Sequence, residues 1–161
     1  MVAPRTNDYK LITAKPFAPN LGAEIYGVDL SEPVPDDQFD EIRDAFFRYQ
    51  VLFFKEQKEI PPARHIAFGK RFGPLHAHPA APTMDGYPEL FEIHATKDSK
   101  VANAEIWHSD VSCDETPPLG TVIQINIMPT CRGDTQFSDL SAAPVHPTQT
   151  VKQLPGRFSA P

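Results

Sequence analysis

The sequence predicts a mostly β chain with flanking helices, of the α+β class, and three observations support this prediction. Proline makes up 18 of the 161 residues, about twice the usual share, and each interior proline disrupts a continuous helix. Residues 120–128 alternate apolar with polar side chains, as a half-buried strand does. Two other segments are expected to form short helices, one from its amphipathic spacing and one from the prolines at its start. Hydrophobic residues make up 40% of the chain, enough for a packed core, which excludes wholesale disorder.

The first third of the chain predicts two extended segments and one helix. Residues 9–19 begin extended and end in a proline-bounded loop, and residues 22–30 alternate roughly as a strand does. Apolar side chains then recur at three- and four-residue spacing, after acidic residues that suit a helix N-terminus. These apolar positions are Phe39, Ile42, Phe46 and Tyr49.

Further along the chain the pattern predicts a second helix and several strands. Residues 51–54 form a short apolar run typical of a buried strand. Pro61 and Pro62 are expected to open a helix that continues to Phe72. Leu90 and Ile93 indicate another strand. Residues 120–128 give the clearest strand signal, and residues 133–137 are expected to pair with them after a turn.

Charge and cysteine content exclude several classes of partner and location. The formal net charge is −6 and no basic stripe occurs, so nucleic acid is not an expected partner. No apolar run approaches the roughly 20 residues of a membrane span, and the N-terminus lacks an apolar signal core. Cys113 and Cys131 are expected to be free thiols in a reducing cytoplasm. A homo-oligomer is compatible with these features.

Residues 144–161 differ in kind from the chain before them. They contain four of the prolines and show no periodicity, which is typical of a linker or a disordered end. We therefore expect a domain at 1–143 and an irregular tail at 144–161.

The strongest chemical signal is the run Trp107-His108-Ser109-Asp110. In an extended segment, residues i and i+2 point to the same face, so His108 and Asp110 can offer an imidazole and a carboxylate to one ion. That is two thirds of the 2-His-1-carboxylate triad that binds Fe(II) in oxygenases. Taken alone, such a pair is more often an ordinary surface pair.

The surrounding segments WHSDVSCDETPPLG and RGDTQFSDLSAA, with GAEIYGVDLSEPVPDDQFDEIRDAFFRYQVLFFKEQ and RFGPLHAHP before them, carry a family resemblance. Over residues 22–143 the chain resembles the TauD/TfdA family of Fe(II)- and 2-oxoglutarate-dependent dioxygenases. The resemblance implies a double-stranded β-helix, a relative of the jelly roll. It also implies hydroxylation of a small organic acid or sulfonate by dioxygen, coupled to conversion of 2-oxoglutarate to succinate and CO2.

The resemblance also implies roles for individual residues. His108 and Asp110 match two iron ligands, and Thr135 matches a threonine that hydrogen-bonds a carboxylate of 2-oxoglutarate. His78 matches a histidine that faces the substrate, and Asn103 lies one residue out of register with a substrate-contacting asparagine. A strand threonine and a loop histidine are the alternative interpretations of Thr135 and His78.

The sequence departs from the family pattern at three places. Ala81 stands where a tyrosine lines the taurine pocket, which argues against taurine itself as substrate. Arg132 replaces a glycine in the run before Thr135, which would alter the turn. After Ala143 we find no match to the family's third iron ligand, a histidine, or to the arginine that pairs with 2-oxoglutarate.

Two hypotheses compete with an active dioxygenase. In the first, the chain is a truncated, inactive fragment with an incomplete β-helix, ended by a frameshift or a premature stop. In the second, His76, His78 and Asp110 bind zinc, which is weaker because structural zinc sites usually have four ligands. We expect little or no turnover from the 161-residue chain.

Overall fold

The computed structural model describes residues 9–19, 21–76, 82–94, 96, 107–112, 114–128, 130 and 134–139. The elements, in order, are β1 (Thr13–Pro16), β2 (Ala23–Tyr26), α1 (Asp36–Tyr49), β3 (Leu52–Phe54), α2 (Pro62–Lys70), β4 (Thr83–Met84) and β5 (Tyr87–Phe91). Several positions singled out from the sequence lie outside the described residues: His78, Ala81, Asn103, Cys113, Cys131, Arg132 and the tail 144–161.

The secondary structure confirms an α+β arrangement but not its mostly β character. In the described part of the chain, the two helices contain more residues than the five strands. The strands form one sheet of three and one of two, and within these ranges neither sheet closes into a barrel.

The larger sheet has the order β1-β2-β3 and is the platform of the fold. β1 is antiparallel to β2, with Thr13 opposite Tyr26 and Pro16 opposite Ala23. β2 is parallel to β3, with Ala23 opposite Leu52 and Ile25 opposite Phe54. Parallel neighbours need a crossover connection, and α1 supplies it.

Helix α1 has the apolar stripe that its sequence predicts. Its buried residues are Phe39, Ile42, Ala45 and Tyr49. Asp36 and Asp37 lie in the first turn, where negative charge is favourable beside the helix N-terminus. The helix ends where Gln50 adopts a φ of 65° and donates its backbone N–H to the Phe46 carbonyl at 2.7 Å.

The hydrophobic core lies between this helix and the three-stranded sheet. The sheet and its loops contribute Ile12, Ala14, Ala23, Ile25, Val28 and Leu30. From α2, Phe68 is buried and stacks edge-on against Phe39, with ring centroids 5.9 Å apart. The ring centroid of Phe72 lies 4.8 Å from that of Phe39 and 5.6 Å from that of Phe46. Contacts between aromatic rings therefore hold the two helices together.

Acidic side chains of α1 accept hydrogen bonds from the segment that precedes β1. The Glu41 carboxylate accepts the backbone N–H groups of residues 10, 11 and 12 at 2.8, 2.8 and 3.1 Å. Nearby, the Tyr9 hydroxyl donates to Asp44 at 2.6 Å. Burial, and then this hydrogen bond, raise the pKa of Tyr9 to about 12.

Helix α2 is shorter than its sequence predicts, since it ends at Lys70 rather than Phe72. The next residue, Arg71, makes tertiary contacts with α1 and with the segment before it. Its guanidinium donates to the Val34 carbonyl and to Asp36, both at 2.6 Å, and lies 3.9 Å from the Phe39 ring. These contacts connect the end of α2 to the start of α1.

The smaller sheet pairs β4 with β5 in antiparallel fashion. The strand expected around Leu90 and Ile93 is present but lies earlier, at Tyr87–Phe91. An ion pair between Lys70 and Glu89, 3.7 Å apart, connects this hairpin to α2. No helix in the described ranges is long and apolar enough to span a bilayer.

The clearest strand expected from the sequence is not formed. Residues 120–128 have no strand partner among the described residues, and neither do residues 134–137 of the expected pair. The alternating side chains Ile123, Ile125 and Ile127 are 66, 57 and 85% exposed. Alternation specifies which side chains share a face, but a strand also requires a neighbour to which its backbone can hydrogen-bond.

Candidate functional site

The site begins at the turn that follows Trp107. His108 Nε2 lies 3.4 Å from Asp110 Oδ1, and both side chains are about half exposed. The turn continues through Val111, whose φ of 49° is uncommon for a β-branched residue. It closes with the Asp114 N–H donating to the Val111 carbonyl at 3.2 Å. An imidazole and a carboxylate therefore share one accessible surface, as the i, i+2 spacing predicts.

A residue that the sequence pattern did not identify orients Asp110. Thr121 Oγ1 donates to Asp110 Oδ2 at 3.0 Å, which leaves Oδ1 as the oxygen directed at His108. The two partners are 11 positions apart in the sequence and no motif connects them. The hydrogen bond between them is therefore visible only in three dimensions.

Contacts with the helices hold Thr121 in place from both sides. A Cβ added at Gly120 would lie 2.9 Å from Phe46 Cζ of α1, so glycine allows the chain to pass this ring closely. On the other side of Thr121, the Val122 carbonyl lies 3.1 Å from His65 Nε2 of α2. The two helices thereby position the threonine that orients Asp110.

A second imidazole–carboxylate contact joins His76 and Asp114, whose Nδ1 and Oδ2 atoms are 4.0 Å apart. In the residues that the structure describes, no group of three or more His, Cys, Asp or Glu side chains could hold one metal ion. The zinc hypothesis required His76 and Asp110 together with His78, and the first two belong to separate pairs here.

Of the other site residues predicted from the sequence, Thr135 lies in the described part of the chain, and it is not brought to this pair. Thr135 is exposed, and within the described ranges no hydrogen bond or ion pair joins it to His108 or Asp110. His78 and Asn103 lie outside the described residues. A small cleft of about 140 Å³ beside Leu30, Arg64 and Phe68 contains neither member of the pair, and we give it no role in the site.

Comparison with known proteins decides the family. The family described as "Taurine catabolism dioxygenase TauD, TfdA family" matches residues 13–153. This chain belongs to the TauD/TfdA family. The match continues past residue 143, and the domain boundary expected there stays a prediction.

Two TauD/TfdA relatives show how much of the chain is shared. It is 29% identical over 145 residues to an alpha-ketoglutarate-dependent sulfate ester dioxygenase of Pseudomonas putida, covering 90% of this chain and 47% of that protein. It is 31% identical to an alkylsulfatase of Acinetobacter baylyi, covering 83% of this chain and 41% of that one. The chain therefore spans about half the length of these relatives, or less.

One solved structure supports the same relationship. A taurine dioxygenase from Burkholderia xenovorans superposes with a TM-score of 0.55 at 32% identity. The superposition covers 67% of this chain and 38% of that one.

The residues present fit the iron of a TauD/TfdA protein in part. Imidazole nitrogen and carboxylate oxygen are donors that suit Fe(II) in oxygenases. Two donors that each lie about 2.1 Å from one ion are roughly 3 Å apart at a right angle, close to the 3.4 Å observed. The pair is therefore suited to supply two ligands of a three-ligand site.

Proposed function

We propose that the chain belongs to an Fe(II)- and 2-oxoglutarate-dependent dioxygenase that hydroxylates a small organic acid, sulfonate or sulfate ester. The accessible His108–Asp110 pair, within the region that matches the TauD/TfdA family, is the observation that carries this proposal. For the whole domain we propose the double-stranded β-helix that the family resemblance implies.

In this proposal each residue of the pair has a defined task. His108 and Asp110 hold Fe(II), and Thr121 fixes the Asp110 carboxylate so that Oδ1 stays directed toward His108. Such supporting hydrogen bonds tune a metal site. When bound, Fe(II) with 2-oxoglutarate and dioxygen supplies the oxidant for a substrate C–H bond. Thr135 is proposed to bind 2-oxoglutarate, and His78 and Asn103 the substrate.

The relatives and one substitution support the substrate class that we propose. One matched relative is a sulfate ester dioxygenase of Pseudomonas putida, and another is a 2,4-dichlorophenoxyacetate dioxygenase of Cupriavidus pinatubonensis. Each name describes a small anionic compound. Ala81 removes the ring and hydroxyl expected of a taurine pocket, so we propose a small anionic substrate other than taurine.

The alternative expectation, an inactive fragment, stays a prediction. In the part of the chain that the structure describes, the imidazole of His108 and the carboxylate of Asp110 converge, and no group of three such ligands is formed. Two ligands bind a divalent ion more weakly than three, and the half-exposed pair competes with water. Family membership and activity are therefore separate claims, and we expect metal binding from this chain with little or no turnover.

Anaerobic titration tests the metal site. Addition of Fe(II) and then 2-oxoglutarate should give a visible charge-transfer absorption in the parent chain. His108→Ala and Asp110→Ala should each lose it. His94→Ala is the matched control, because His94 is exposed outside the site, and it should keep the parent signal. Equal signals in all four proteins would contradict the assignment of the pair.

Succinate formation tests turnover separately. The chain is incubated aerobically with Fe(II), 2-oxoglutarate and, in turn, an alkyl sulfate, an alkanesulfonate and an aryloxyacetate. Substrate-dependent succinate that disappears in His108→Ala would establish the dioxygenase and refute the inactive fragment. Metal binding without succinate would support the fragment.

A further inference from the structure

Helix α2 contacts the segment that carries Thr121 through the side chain of His65. This side chain is half-buried, and its Nε2 atom lies 3.1 Å from the Val122 carbonyl oxygen. A carbonyl oxygen can only accept a hydrogen bond, so Nε2 carries the proton and donates it. Although His65 and Val122 are 57 positions apart in the sequence, His65 is therefore bonded to the residue directly after Thr121.

The helix that carries His65 is packed firmly against the rest of the molecule. Phe68, on the same helix, is buried in the hydrophobic core. Arg71, directly after the helix, donates to the Val34 carbonyl and to Asp36. Because the core and these hydrogen bonds hold α2, the position of the His65 donor does not depend on the segment that it contacts.

The hydrogen bond from His65 fixes the position of this segment along its own axis. An extended chain advances by about 3.3 Å per residue. A slip by one residue would therefore carry the Thr121 hydroxyl out of hydrogen-bonding distance of Asp110, from which it lies 3.0 Å. The close approach of Gly120 to Phe46 limits how near the segment comes to α1, but this steric contact has no donor or acceptor that selects a register.

A second contact beside α2 supports the same register. In the amide orientation that matches donors with acceptors, Gln124 accepts from the Ile60 N–H at 3.2 Å and donates to the Ile60 carbonyl at 3.3 Å. Ile60 directly precedes the two prolines that open α2. The segment is therefore held at two points, and the one nearer to Thr121 is the hydrogen bond from His65.

We propose that His65 is a positioning residue for the His108–Asp110 pair. His65 holds the Val122 carbonyl, and this bond fixes Thr121. The Thr121 hydroxyl in turn holds Asp110 Oδ2, so that Oδ1 is directed at His108. His65 acts through Thr121 and is not proposed as a ligand. Its effect on metal binding rests on the proposed function, in which the pair holds Fe(II).

The methyl resonance of Thr121 tests the positioning in the absence of metal. In the full chain, labelled with 13C at threonine methyl groups, the Thr121 signal is the one that Thr121→Val removes. His65→Ala should shift this signal, because the segment loses its donor while alanine maintains the helix. His65→Leu fills the space without a donor and should shift it as well.

Two further variants are the controls of this experiment. His65→Gln retains a side-chain N–H donor and should restore the parent signal. Arg64→Ala shortens the exposed residue directly before His65 on the same helix, and it should leave the Thr121 signal in place. Circular dichroism confirms that each variant keeps its helices.

Co(II) titration, with Co(II) in place of Fe(II), tests the effect on the pair. His65→Ala should weaken Co(II) binding about fivefold, less than the loss of a residue that contacts a ligand directly. His65→Gln and Arg64→Ala should bind as the parent does. In a Thr121→Val background, His65→Ala should cause no further loss, because the two residues act in series. A merely structural role would weaken binding by the same factor in both backgrounds.

Two results would overturn the proposal. One is a Thr121 methyl signal that stays in place in both His65→Ala and His65→Leu. The other is a loss of Co(II) affinity from His65→Ala that is equal in the parent and Thr121→Val backgrounds. Failure of the proposed function has a different signature: the Thr121 signal still moves in His65→Ala, but the parent chain and His108→Ala bind Co(II) equally. In that case the positioning of Thr121 by His65 stands and the metal site does not.

Discussion

Residues 9–76 and residues 82–139 use apolar side chains in opposite ways. In the first region they form a core in which Ile25 and Ile42 are 1 and 0% exposed. In the second, no described residue is buried, and Ile93 and Trp107 are 66 and 67% exposed. The local sequence pattern does not explain the difference, because residues 120–128 of the second region have the clearest alternation of apolar and polar side chains in the chain.

The packed core and the candidate site lie in different regions of the molecule. The first region holds the packed sheet and helices, whereas the second carries His108, Asp110 and Thr121. The two regions meet at a few side chains, including the passage of Gly120 beside Phe46 and the contact of Phe53 with Phe137, whose ring centroids are 6.0 Å apart. A change in the first region should therefore alter the free energy of unfolding, and a change in the second should alter binding.

The largest expected effect tests this separation directly. Ile42→Ala removes a fully buried side chain and should lower the free energy of unfolding by about 3 kcal/mol. Ile93→Ala, at an exposed site of the second region, should change it by less than about 0.5 kcal/mol. Urea denaturation measures both. If Ile42→Ala does not fold, Ile42→Val should still cost about 1 kcal/mol; equal effects at positions 42 and 93 would refute the separation.

A polar contact of the first region should have the next largest effect. Glu41→Gln weakens the acceptor of three backbone N–H groups and should cost about 2 kcal/mol at neutral pH. Asp40→Asn is the control, because the Asp40 side chain forms a surface ion pair with Arg43, and it should cost less than about 0.5 kcal/mol. A loss of equal size in both variants would show that net charge, not these hydrogen bonds, matters.

The pH dependence of that loss has a definite sign. Burial opposes ionisation of Glu41, but the N–H groups of residues 10–12 stabilise its carboxylate, and the pKa of Glu41 falls below its ordinary value of 4.5. A lowered pKa gives stability that is present above the ordinary value and disappears as pH falls through the folded-state value. The difference between parent and Glu41→Gln should therefore shrink below about pH 4.5.

The first region was largely predictable from sequence because its signals are local. The spacing of Phe39, Ile42 and Tyr49 predicts α1, and Pro61 and Pro62 predict the start of α2. The second region was less predictable, because residues 120–128 show strand periodicity but have no strand partner in the part of the chain that the structure describes. Periodicity is a property of the segment, whereas strand pairing depends on a second one.

The same limit applies to the candidate site. The two-residue spacing of His108 and Asp110 predicts that they meet, and the structure places their side chains 3.4 Å apart. The assignment of the pair as iron ligands stays a prediction. Thr121 reaches Asp110 only through the docking of its segment on α1 and α2, so no pattern near residue 108 indicates it.

A change at Thr121 should affect metal binding and leave folding intact. Thr121→Val keeps the side-chain shape but removes the donor to Asp110 Oδ2, and should weaken Co(II) binding, used in place of Fe(II), about tenfold. Thr130→Val, at an exposed residue outside the site, should bind Co(II) as the parent does. Unchanged affinity in Thr121→Val, with an unchanged unfolding curve, would show that this hydrogen bond does not support the metal ligands.

The smallest expected effect concerns the contact between the two regions. Gly120→Ala places a Cβ 2.9 Å from Phe46 Cζ, so the segment that carries Thr121 must move away from α1. We expect the free energy of unfolding to fall by about 1 kcal/mol or less. We also expect proteolysis to be faster in the second region than in the first. Phe46→Leu shortens the opposing side chain, and in combination with Gly120→Ala it should slow that proteolysis again. If Gly120→Ala and the double variant are cleaved at the same rate, the close approach of Gly120 to Phe46 does not hold the two regions together.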